Sequence, residues 1–376
     1  MSKWEEKMLR DLCSDISYGY TESATYTEVG PKFLRITDIT SDYINWETVP
    51  FCKISEQDFE KYKLQYNDIV IARTGATSGY NQQFRENIDA VYASYLIRFR
   101  IDESKANPRF VYYYLQSSAY KGFINNYISG AAQPGINATV LSKLKIPLPD
   151  EKTQKHIAIV LSVYDDLIEA NNRRIELLEQ AAQDLYKEWF VRFRFPGYEN
   201  TKFESGLPEG WDFCRLGKIM SFGAGKTRPE SGETYPVYGG NGILDYCNYY
   251  NNENAIIIGR VGAYCGTVYY EPDKCWISDN ALFAESKNDA SFYNYYLLKN
   301  MNLNARQVGT GQPLITQGLL NKIKILLPPE PVVKKFNEIS SELLKQQHAL
   351  RKQNTNLATQ RDMLLPRLMS GKLEVN

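Results

Sequence analysis

The chain has 376 residues, and its 44 Lys and Arg balance its 44 Asp and Glu, so the formal net charge is zero. A neutral protein has no overall field that draws it to a polyanion, and any binding of nucleic acid must therefore use locally placed cations. No apolar run approaches eighteen residues, and the first residues lack the apolar stretch of a secretion signal. We therefore expect a cytoplasmic protein with no membrane partner.

Cysteine and histidine usage argues against most catalytic and metal chemistry. Six cysteines are scattered without a Cys-x-x-Cys pair, which is typical of reduced thiols inside a long chain. Only two histidines are present, His156 and His348, and both fall in segments predicted to be helical. Two histidines are too few for most kinds of zinc site and for most catalytic triads. We expect no catalytic residue, no metal site and no cofactor in this chain.

Residues 1–150 are predicted to form a first domain of short strands and loops with a helix around 107–120. Short β-branched runs such as Ile69-Val70-Ile71 are broken by Gly, Asn and Pro. Arg73 ends one such run, where it is well placed to reach a phosphate or a guanine edge; a structural ion pair is an equally good interpretation. The loop that follows supplies further residues that could donate to phosphates, with plain turn chemistry as the alternative. These are Thr74, Gly75, Thr77, Ser78 and Tyr80.

Residues 151–195 are predicted to form a long helix that begins just after Pro149. Apolar residues recur at alternating spacings of four and three, which is typical of a coiled-coil seam rather than of a simple amphipathic surface. A helix over 151–193 would be about 65 Å long. The seam positions are Ile157, Leu161, Tyr164, Ile168, Asn171, Ile175, Leu178, Ala182, Leu185 and Trp189. Asn171 on this seam is expected to fix the register, or else to mark a break in a short bundle.

Residues 196–330 repeat the first domain. "GAAQPGINATVLSKLKIPLPD" at 130–150 matches "GTGQPLITQGLLNKIKILLPP" at 309–329 with an offset of 179, and "DIVIARTGATSG" at 68–79 matches "AIIIGRVGAYCG" at 255–266 with an offset of 187. The offset is expected to change along the chain because loops accept insertions that a packed helix cannot absorb. Arg260 therefore corresponds to Arg73, and Tyr264 and Thr267 share its loop.

The stretch "GAGKT" at 223–227 looks like a phosphate-binding loop but lacks its first glycine, because Met220 occupies that position. A turn-rich run follows it instead of a helix, so we reject an ATP site. Lys226 and Arg228 remain candidate phosphate contacts. Asn241, within Gly239-Gly240-Asn241-Gly242, either approaches a ligand or forms a tight hairpin, and the hairpin is favoured.

The paired Gln-Pro loops place four polar side chains just ahead of the helical segments: Gln133, Asn137, Gln312 and Thr316. A Gln can bind adenine bidentately in the major groove. Both copies have Gln-Pro, and this identity favours a shared role, such as a backbone contact or locking of the loop, over base reading that differs between the copies.

Residues 331–376 repeat the long helix, with a weaker seam at the same period that includes Asn354 and Leu368. One helix per repeat packs most simply as an antiparallel coiled coil with a pseudo-twofold axis. The predicted fold is therefore α+β: two domains of short strands and helices, each followed by a long helix. Predicted boundaries are 1–150, 151–195, 196–330 and 331–376.

Several segments, in this order and on a duplicated frame, resemble the specificity subunit of type I restriction–modification enzymes. They are "NNRRIELLEQAAQDLYKEWFVRFRFPG" at 171–197, "LPEGW" at 207–211, "YPVYGGNGILDY" at 235–246, "LITQGLLNKIKILLPP" at 314–329 and "RDMLLPRLMSGKL" at 361–373. The resemblance covers essentially the whole chain.

The resemblance implies a non-catalytic reader of double-stranded DNA, with one target-recognition domain for each half of a split, asymmetric site. It implies a single copy within a hetero-oligomer that contains two adenine methyltransferase (modification) subunits and restriction subunits that translocate DNA. S-adenosylmethionine, ATP and Mg would then belong to those partner subunits. Trp189, Phe190, Phe193 and Leu368, at the helix ends, are candidate partner contacts, since aromatic residues near cations are typical interface anchors. The alternative is a coiled-coil scaffold that joins two protein-binding modules without DNA.

Overall fold

The computed structural model describes residues 4–40, 43–128, 135–306 and 314–373. The chain divides into two compact units: unit 1 is Met1–Asn172 with Lys352–Asn376, and unit 2 is Arg173–Arg351. Both divisions fall inside long helices, whereas the predicted boundaries kept each helix whole. Each unit therefore combines one front domain with part of both long helices.

The described residues of unit 1 form eight short strands and, besides the long helices, four shorter helices. The strands are β1 (Glu5–Met8), β2 (Cys13–Tyr18), β3 (Lys32–Leu34), β4 (Ile69–Ala72), β5 (Asn81–Gln83), β6 (Ala90–Tyr92), β7 (Leu96–Ile101) and β8 (Lys145–Leu148). The helices are α1 (Glu56–Tyr62), α2 (Pro108–Tyr114), α3 (Ser118–Ile128), α4 (Ala138–Leu141) and the first part of α5 (Glu151–Tyr186).

The main sheet of unit 1 has the strand order β2-β7-β4-β5, all antiparallel, with smaller pairs β1-β8 (antiparallel) and β3-β6 (parallel). All four residues of β4 are buried, which explains its continuous apolar sequence. Asn107 caps α2 and Pro108 occupies its first turn, where a missing N–H costs little. The core joins this sheet and α2 to Ile157 and Leu161 of α5.

In its described part, unit 2 contains ten strands and, besides the long helices, three shorter ones. The strands are β9 (Phe203–Glu204), β10 (Leu207–Pro208), β11 (Asp212–Arg215), β12 (Met220–Ala224), β13 (Tyr235–Gly239), β14 (Gly242–Cys247), β15 (Asn252–Gly259), β16 (Val268–Ile277), β17 (Ala281–Ser286) and β18 (Lys324–Leu327). The helices are α6 (Leu216–Ile219), α7 (Ser291–Asn300), α8 (Gln317–Lys322) and α9 (Glu330–Met369), of which unit 2 holds the first part.

The two units repeat one topology. Unit 2 has the strand order β12-β17-β15-β16-β13-β14, whose first four strands correspond to β2-β7-β4-β5 of unit 1. Strand β16 is continuous where unit 1 has two separate strands, β5 and β6. Its far end pairs in parallel with β13, as β6 pairs with β3. Pair β11-β18 corresponds to β1-β8. The duplicated sequence thus gives a duplicated fold, as predicted.

Within each unit, the two long helices run antiparallel. In unit 1, Asp165 of α5 pairs with Arg361 of α9 at 2.7 Å, and Asn171 donates to Asn354 at 2.8 Å, so the position on α9 falls as the position on α5 rises. In unit 2, Tyr186 packs on Phe336 in the same sense. After Tyr186, α5 continues as one π-helical turn, Lys187–Val191.

The coiled-coil seam is confirmed. None of the ten predicted seam residues of α5 and none of the corresponding ten of α9 is exposed. The seam asparagines pair with one another: Asn354 accepts from Asn171 and donates to Asn172, each at 2.8 Å. A buried polar pair of this kind specifies register. Among the described residues, no helix is both long enough and apolar enough to cross a membrane.

Candidate nucleic-acid interface

The second glycine of the "GAGKT" stretch, Gly225, is required by a close approach between two main-chain segments. A Cβ on Gly225 would lie 2.0 Å from the Ser278 carbonyl oxygen, closer than any side chain tolerates. The next amide, of Lys226, donates to the Ile277 carbonyl at 3.0 Å. Gly225 therefore lets the end of β12 cross the turn between β16 and β17. The stretch is a strand end and does not open a helix, which agrees with the rejection of an ATP site.

Unit 1 repeats this crossing at Gly19. A Cβ there would lie 2.3 Å from the Ala93 carbonyl oxygen, and Tyr20 donates to the Tyr92 carbonyl at 2.8 Å. Gly19 donates to the Leu96 carbonyl, just as Gly225 donates to the Ala281 carbonyl. The offset between copies is 206 residues at this point, so the sequence comparison alone did not find it.

Each predicted arginine lies where its loop is tied to the Gln-Pro loop of the same unit. Ile136 donates its amide to the Arg73 carbonyl at 2.8 Å, and Ile315 donates to the Arg260 carbonyl at 3.0 Å. The flanking residues form matching bridges, Thr74 with Gly135 and Val261 with Leu314. The structure therefore joins the described end of each Gln-Pro loop to the arginine loop of the same unit.

Arg73 stacks on an aromatic ring and has no ion-pair partner among the described residues. Its guanidinium lies 5.0 Å from the centre of the Tyr18 ring, a cation–π contact. The Tyr18 hydroxyl accepts from the Ala138 amide at 3.1 Å, so the ring also touches the start of α4. The Arg73 amide donates to the carbonyl of Tyr95, an exposed tyrosine. The ion-pair interpretation of Arg73 therefore finds no support in this part of the chain.

Arg260 has the corresponding position in unit 2, and the described residues supply no ion-pair partner to it either. Its amide donates to the Asn280 carbonyl at 3.0 Å, as Arg73 does to Tyr95. Its Nε is buried and has no hydrogen-bond partner among the described residues. The turn at Gly240 packs against this loop, since a Cβ on Gly240 would lie 3.6 Å from the Cβ of Tyr264. A buried, unpartnered donor is expected to be satisfied by water or by a ligand.

Two of the predicted base readers are helix caps. Asn137 accepts from the Val140 amide at 2.9 Å at the start of α4, and Thr316 accepts from the Leu319 amide at 3.1 Å at the start of α8. Each satisfies an amide that the first helical turn leaves unpaired. The shared-role interpretation thus has a physical basis for these two. Gln133 and Gln312 lie outside the described residues.

The remaining loop candidates of unit 1 divide between turn chemistry and exposure. Ser78 is buried and donates to the Gly75 carbonyl at 2.8 Å, and Gly75 has a φ of +79° that favours glycine. Thr77 is half-buried, and its carbonyl accepts from the Tyr80 amide. The Tyr80 side chain is exposed and free to reach a partner molecule.

The remaining candidates of unit 2 divide in the same way. Thr267 donates to the Gly240 carbonyl at 2.6 Å, which locks the hairpin that Asn241 turns between β13 and β14. Asn241 and Lys226 are exposed at this surface. Arg228 pairs with Asp245, whose pKa is lowered to about 2 by hydrogen bonds from Ser231 and the main chain and by Arg228 itself. Arg228 is thus already committed to a neighbour.

Most of the predicted partner contacts lie inside the chain's own core. Trp189, Phe190 and Leu368 are nine-tenths or more buried. The ring of Phe190 lies 5.0 Å from that of Phe336 and 6.1 Å from that of Trp211. Phe193 is half-buried and packs on the ring of Trp211 at 5.1 Å. These side chains therefore anchor helix ends in each unit, and Phe193 keeps the most exposed surface of the four.

Sequence reasoning missed an exposed apolar stripe and two residues beside the arginines. Ile159, Val163 and Leu167 of α5, spaced four apart, form an exposed apolar stripe in unit 1, with 51%, 51% and 44% of each residue exposed. The predicted coiled-coil seam lies on the opposite face of α5, although the spacing of four is visible in the sequence. Tyr18 and Asn280, next to Arg73 and Arg260, carried no signal of their own.

Comparison with known proteins agrees with this architecture. The family described as "Type I restriction modification DNA specificity domain" matches residues 1–180 and 208–360, most of the chain and once per repeat. The chain belongs to this family. It is 25% identical over 425 residues to the type I restriction enzyme MjaIX specificity subunit of Methanocaldococcus jannaschii, covering 99% of this chain and 94% of that one. The putative MjaX specificity subunit of the same organism is 27% identical over 414 residues, with the same coverage.

A solved structure shares the fold. The crystal structure of the type I restriction–modification S subunit from M. genitalium aligns with a TM-score of 0.60 at 18% identity, covering 98% of this chain and 96% of that chain. At this identity the likeness concerns the fold alone. It supports the α+β arrangement of duplicated strand domains and long helices predicted from the sequence.

Proposed function

We propose that this chain is the DNA sequence-specificity subunit of a type I restriction–modification system. In this proposal, its two front domains each read one half of a split, asymmetric double-stranded site. The chain carries out no chemistry itself: it positions two adenine methyltransferase subunits, and restriction subunits, on the DNA in the cytoplasm. S-adenosylmethionine, ATP and Mg are used by those partners. Membership of the specificity family supports the general role.

The observation that carries the proposal is the repeated surface around Arg73 and Arg260. In each unit an arginine leaves the end of a central strand, its carbonyl held by the neighbouring loop, and no described carboxylate neutralises it. A fixed main chain with an uncommitted guanidinium suits a phosphate or a guanine edge. Because the net charge is zero, such local cations are where an attraction to DNA would come from.

We infer that the modification subunit packs on the apolar stripe Ile159, Val163 and Leu167. An exposed row of three branched side chains on a helix is unusual for a surface in contact with water only, and a second amphipathic helix would cover it. Lys152 and Lys155 extend the same exposed face toward the start of α5, and Asp166 lies beside Leu167. The expected partner segment therefore has an apolar stripe flanked by charged residues.

Reconstitution tests the function directly. The purified chain is mixed with its modification subunit, S-adenosylmethionine and a plasmid library, and methylated adenines are mapped by sequencing. We expect methylation at one split sequence, with one adenine in each half. Methylation that ignores sequence would refute a specificity role. An assembly that forms but neither binds nor methylates DNA would favour the scaffold alternative.

The arginines are tested one at a time. We expect Arg73→Ala and Arg260→Ala each to weaken specific DNA binding by about 1–3 kcal/mol, and each to relax preference in one half-site only. Arg228→Ala is the matched control, because that guanidinium already pairs with Asp245. Equal effects of all three substitutions, spread over both half-sites, would remove the assigned roles.

The stripe has its own test. Ile159→Glu and Val163→Glu place charges on exposed positions and leave the core intact, so the chain should fold and still bind DNA weakly. We expect co-purification with the modification subunit to be lost. Ile88→Glu, at an exposed apolar residue outside the helices, is the control and should retain the partner. Retention of the partner by both stripe variants would contradict the inference.

A further inference from the structure

Three potential metal ligands meet in unit 2. Glu271 and Asp273 lie on β16, and His348 lies on α9. The nearest donor atoms of the three side chains all lie within 4.8 Å of one another. Because 75 residues separate Asp273 from His348, no ligand spacing in the sequence announces this group. It joins a strand of the recognition domain to a long helix within one unit.

The geometry at His348 differs from that of an ordinary hydrogen bond. Its Nε2 lies 3.1 Å from Asp273 Oδ2, yet the ring nitrogen makes no hydrogen bond with any described residue and is closed to solvent. The carboxylate oxygen is therefore close to Nε2 but off the axis along which the nitrogen donates or accepts. Two neighbouring ligands of one metal ion are arranged in this way: they lie close together, but each directs its lone pair at the ion and not at the other ligand.

Glu271 is held in place by two hydrogen bonds that leave lone pairs available. Tyr238 donates its hydroxyl to Oε2 at 2.8 Å, and the Asp273 amide donates to Oε1 at 2.9 Å. Carboxylates that ligate metals are commonly oriented by such outer partners. The same hydrogen bond from the Asp273 amide fixes the main chain of β16 where it brings the second carboxylate toward His348.

The donor set selects the class of cation. One imidazole nitrogen and two carboxylates suit zinc and similar divalent transition metals, whereas Mg²⁺ and Ca²⁺ take oxygen ligands. The two carboxylates with a neutral imidazole carry two negative charges, which a divalent ion balances.

We propose that Glu271, Asp273 and His348 bind one Zn²⁺ ion, which fastens β16 of the recognition domain to α9. Water would complete a four-coordinate site, because three side chains are available. The proposal is independent of DNA binding.

The experiment uses the full chain, freed of metal by chelation and titrated with Zn²⁺ in a calorimeter. His348→Gln and Asp273→Asn remove a ligand while retaining shape, and His156→Gln, at the other histidine, is the matched control. We expect one Zn²⁺ per chain. The affinity for Zn²⁺ should be lower by about 10–100-fold or more in the two ligand variants and unchanged in the control. Circular dichroism establishes that each variant is folded.

Two further measurements separate the site from the six free cysteines. Co²⁺ in place of Zn²⁺ should give visible absorption without a thiolate charge-transfer band. Tyr238→Phe should lower the affinity for the metal while the chain still folds. No stoichiometric Zn²⁺ binding, equal binding by His348→Gln and the unaltered chain, or a thiolate band would each overturn the proposal.

Discussion

Replacing Gly225 with alanine tests why the "GAGKT" stretch contains glycine. The added Cβ would meet the Ser278 carbonyl oxygen at 2.0 Å, whereas ordinary contacts begin at 3.4 Å, so the end of β12 must shift by about 1.4 Å. A carbonyl oxygen in a paired segment cannot swing away as the tip of a side chain can. The main chain of the β16–β17 turn or of β12 has to move.

The cost follows from what that shift breaks. The amides of Gly225 and Lys226 donate to the carbonyls of Ala281 and Ile277 at 3.1 and 3.0 Å, and both bonds would stretch beyond a normal length. Two main-chain hydrogen bonds at about 1 kcal/mol each, with about 1–3 kcal/mol for overpacking, give a loss of about 3–5 kcal/mol in the free energy of unfolding unit 2.

Urea unfolding of the full chain, with hydrogen exchange at the amides of β12 and β17, measures that loss in unit 2. Gly122→Ala is the control: its Cβ would meet nothing within 4 Å, and alanine in α3 should stabilise the helix by about 0.5–1 kcal/mol. ATP should protect neither variant nor the unaltered chain. If Gly225→Ala loses no more stability than Gly122→Ala, or if ATP stabilises the chain, the crossing argument is refuted.

Three other predictions concern single interactions. Asp165→Ala should cost about 1–3 kcal/mol in urea unfolding, because it leaves the Tyr113 hydroxyl without its acceptor and Arg361 with Asp362 as its remaining carboxylate, and Asp165→Asn should cost less. Asn137→Ala should lose about 1 kcal/mol of stability with the loss of the cap on α4, yet methylation mapping should give an unchanged sequence; a changed sequence would make Asn137 a base reader. Burial raises the pKa of Cys13 and Cys275 to about 12, so the folded state holds these protons more tightly than the unfolded chain. Stability should therefore fall between about pH 9 and 12 in an alkaline titration followed by circular dichroism, and unchanged stability there would contradict the burial of these thiols.

The helices could be predicted closely because their signal is local and periodic. A seam residue every three or four positions marks the buried face without any knowledge of the partner, and the paired Asn171 and Asn354 confirm the antiparallel register in unit 1. The correspondence of the two copies was found where the offset is nearly constant, in the rear of each domain. It was missed at Gly19 and Gly225, because insertions ahead of β4 and β15 change the offset.

The candidate site could be predicted only in part. The sequence identified the two arginine loops and the two Gln-Pro loops. It carried no sign that, in each unit, a main-chain amide beside the Gln-Pro loop donates to the carbonyl of the arginine. The aromatic residues at the helix ends were assigned to a partner because core and interface share one composition. Trp189 and Phe190 are buried by Trp211 and Phe336, which lie far along the chain, so sequence distance concealed their contacts.

The bond from Ile136 to Arg73, and its counterpart from Ile315 to Arg260, involve only main-chain atoms. Such a bond is indifferent to which side chains its residues carry, proline at the donor excepted. Exposed side chains of the two arginine loops, such as Tyr80 and Tyr264, can therefore be exchanged for other amino acids while the main chain beneath keeps its shape. If the proposed function is correct, each unit can then acquire a new DNA preference by substitution alone, without a matching change in the other unit.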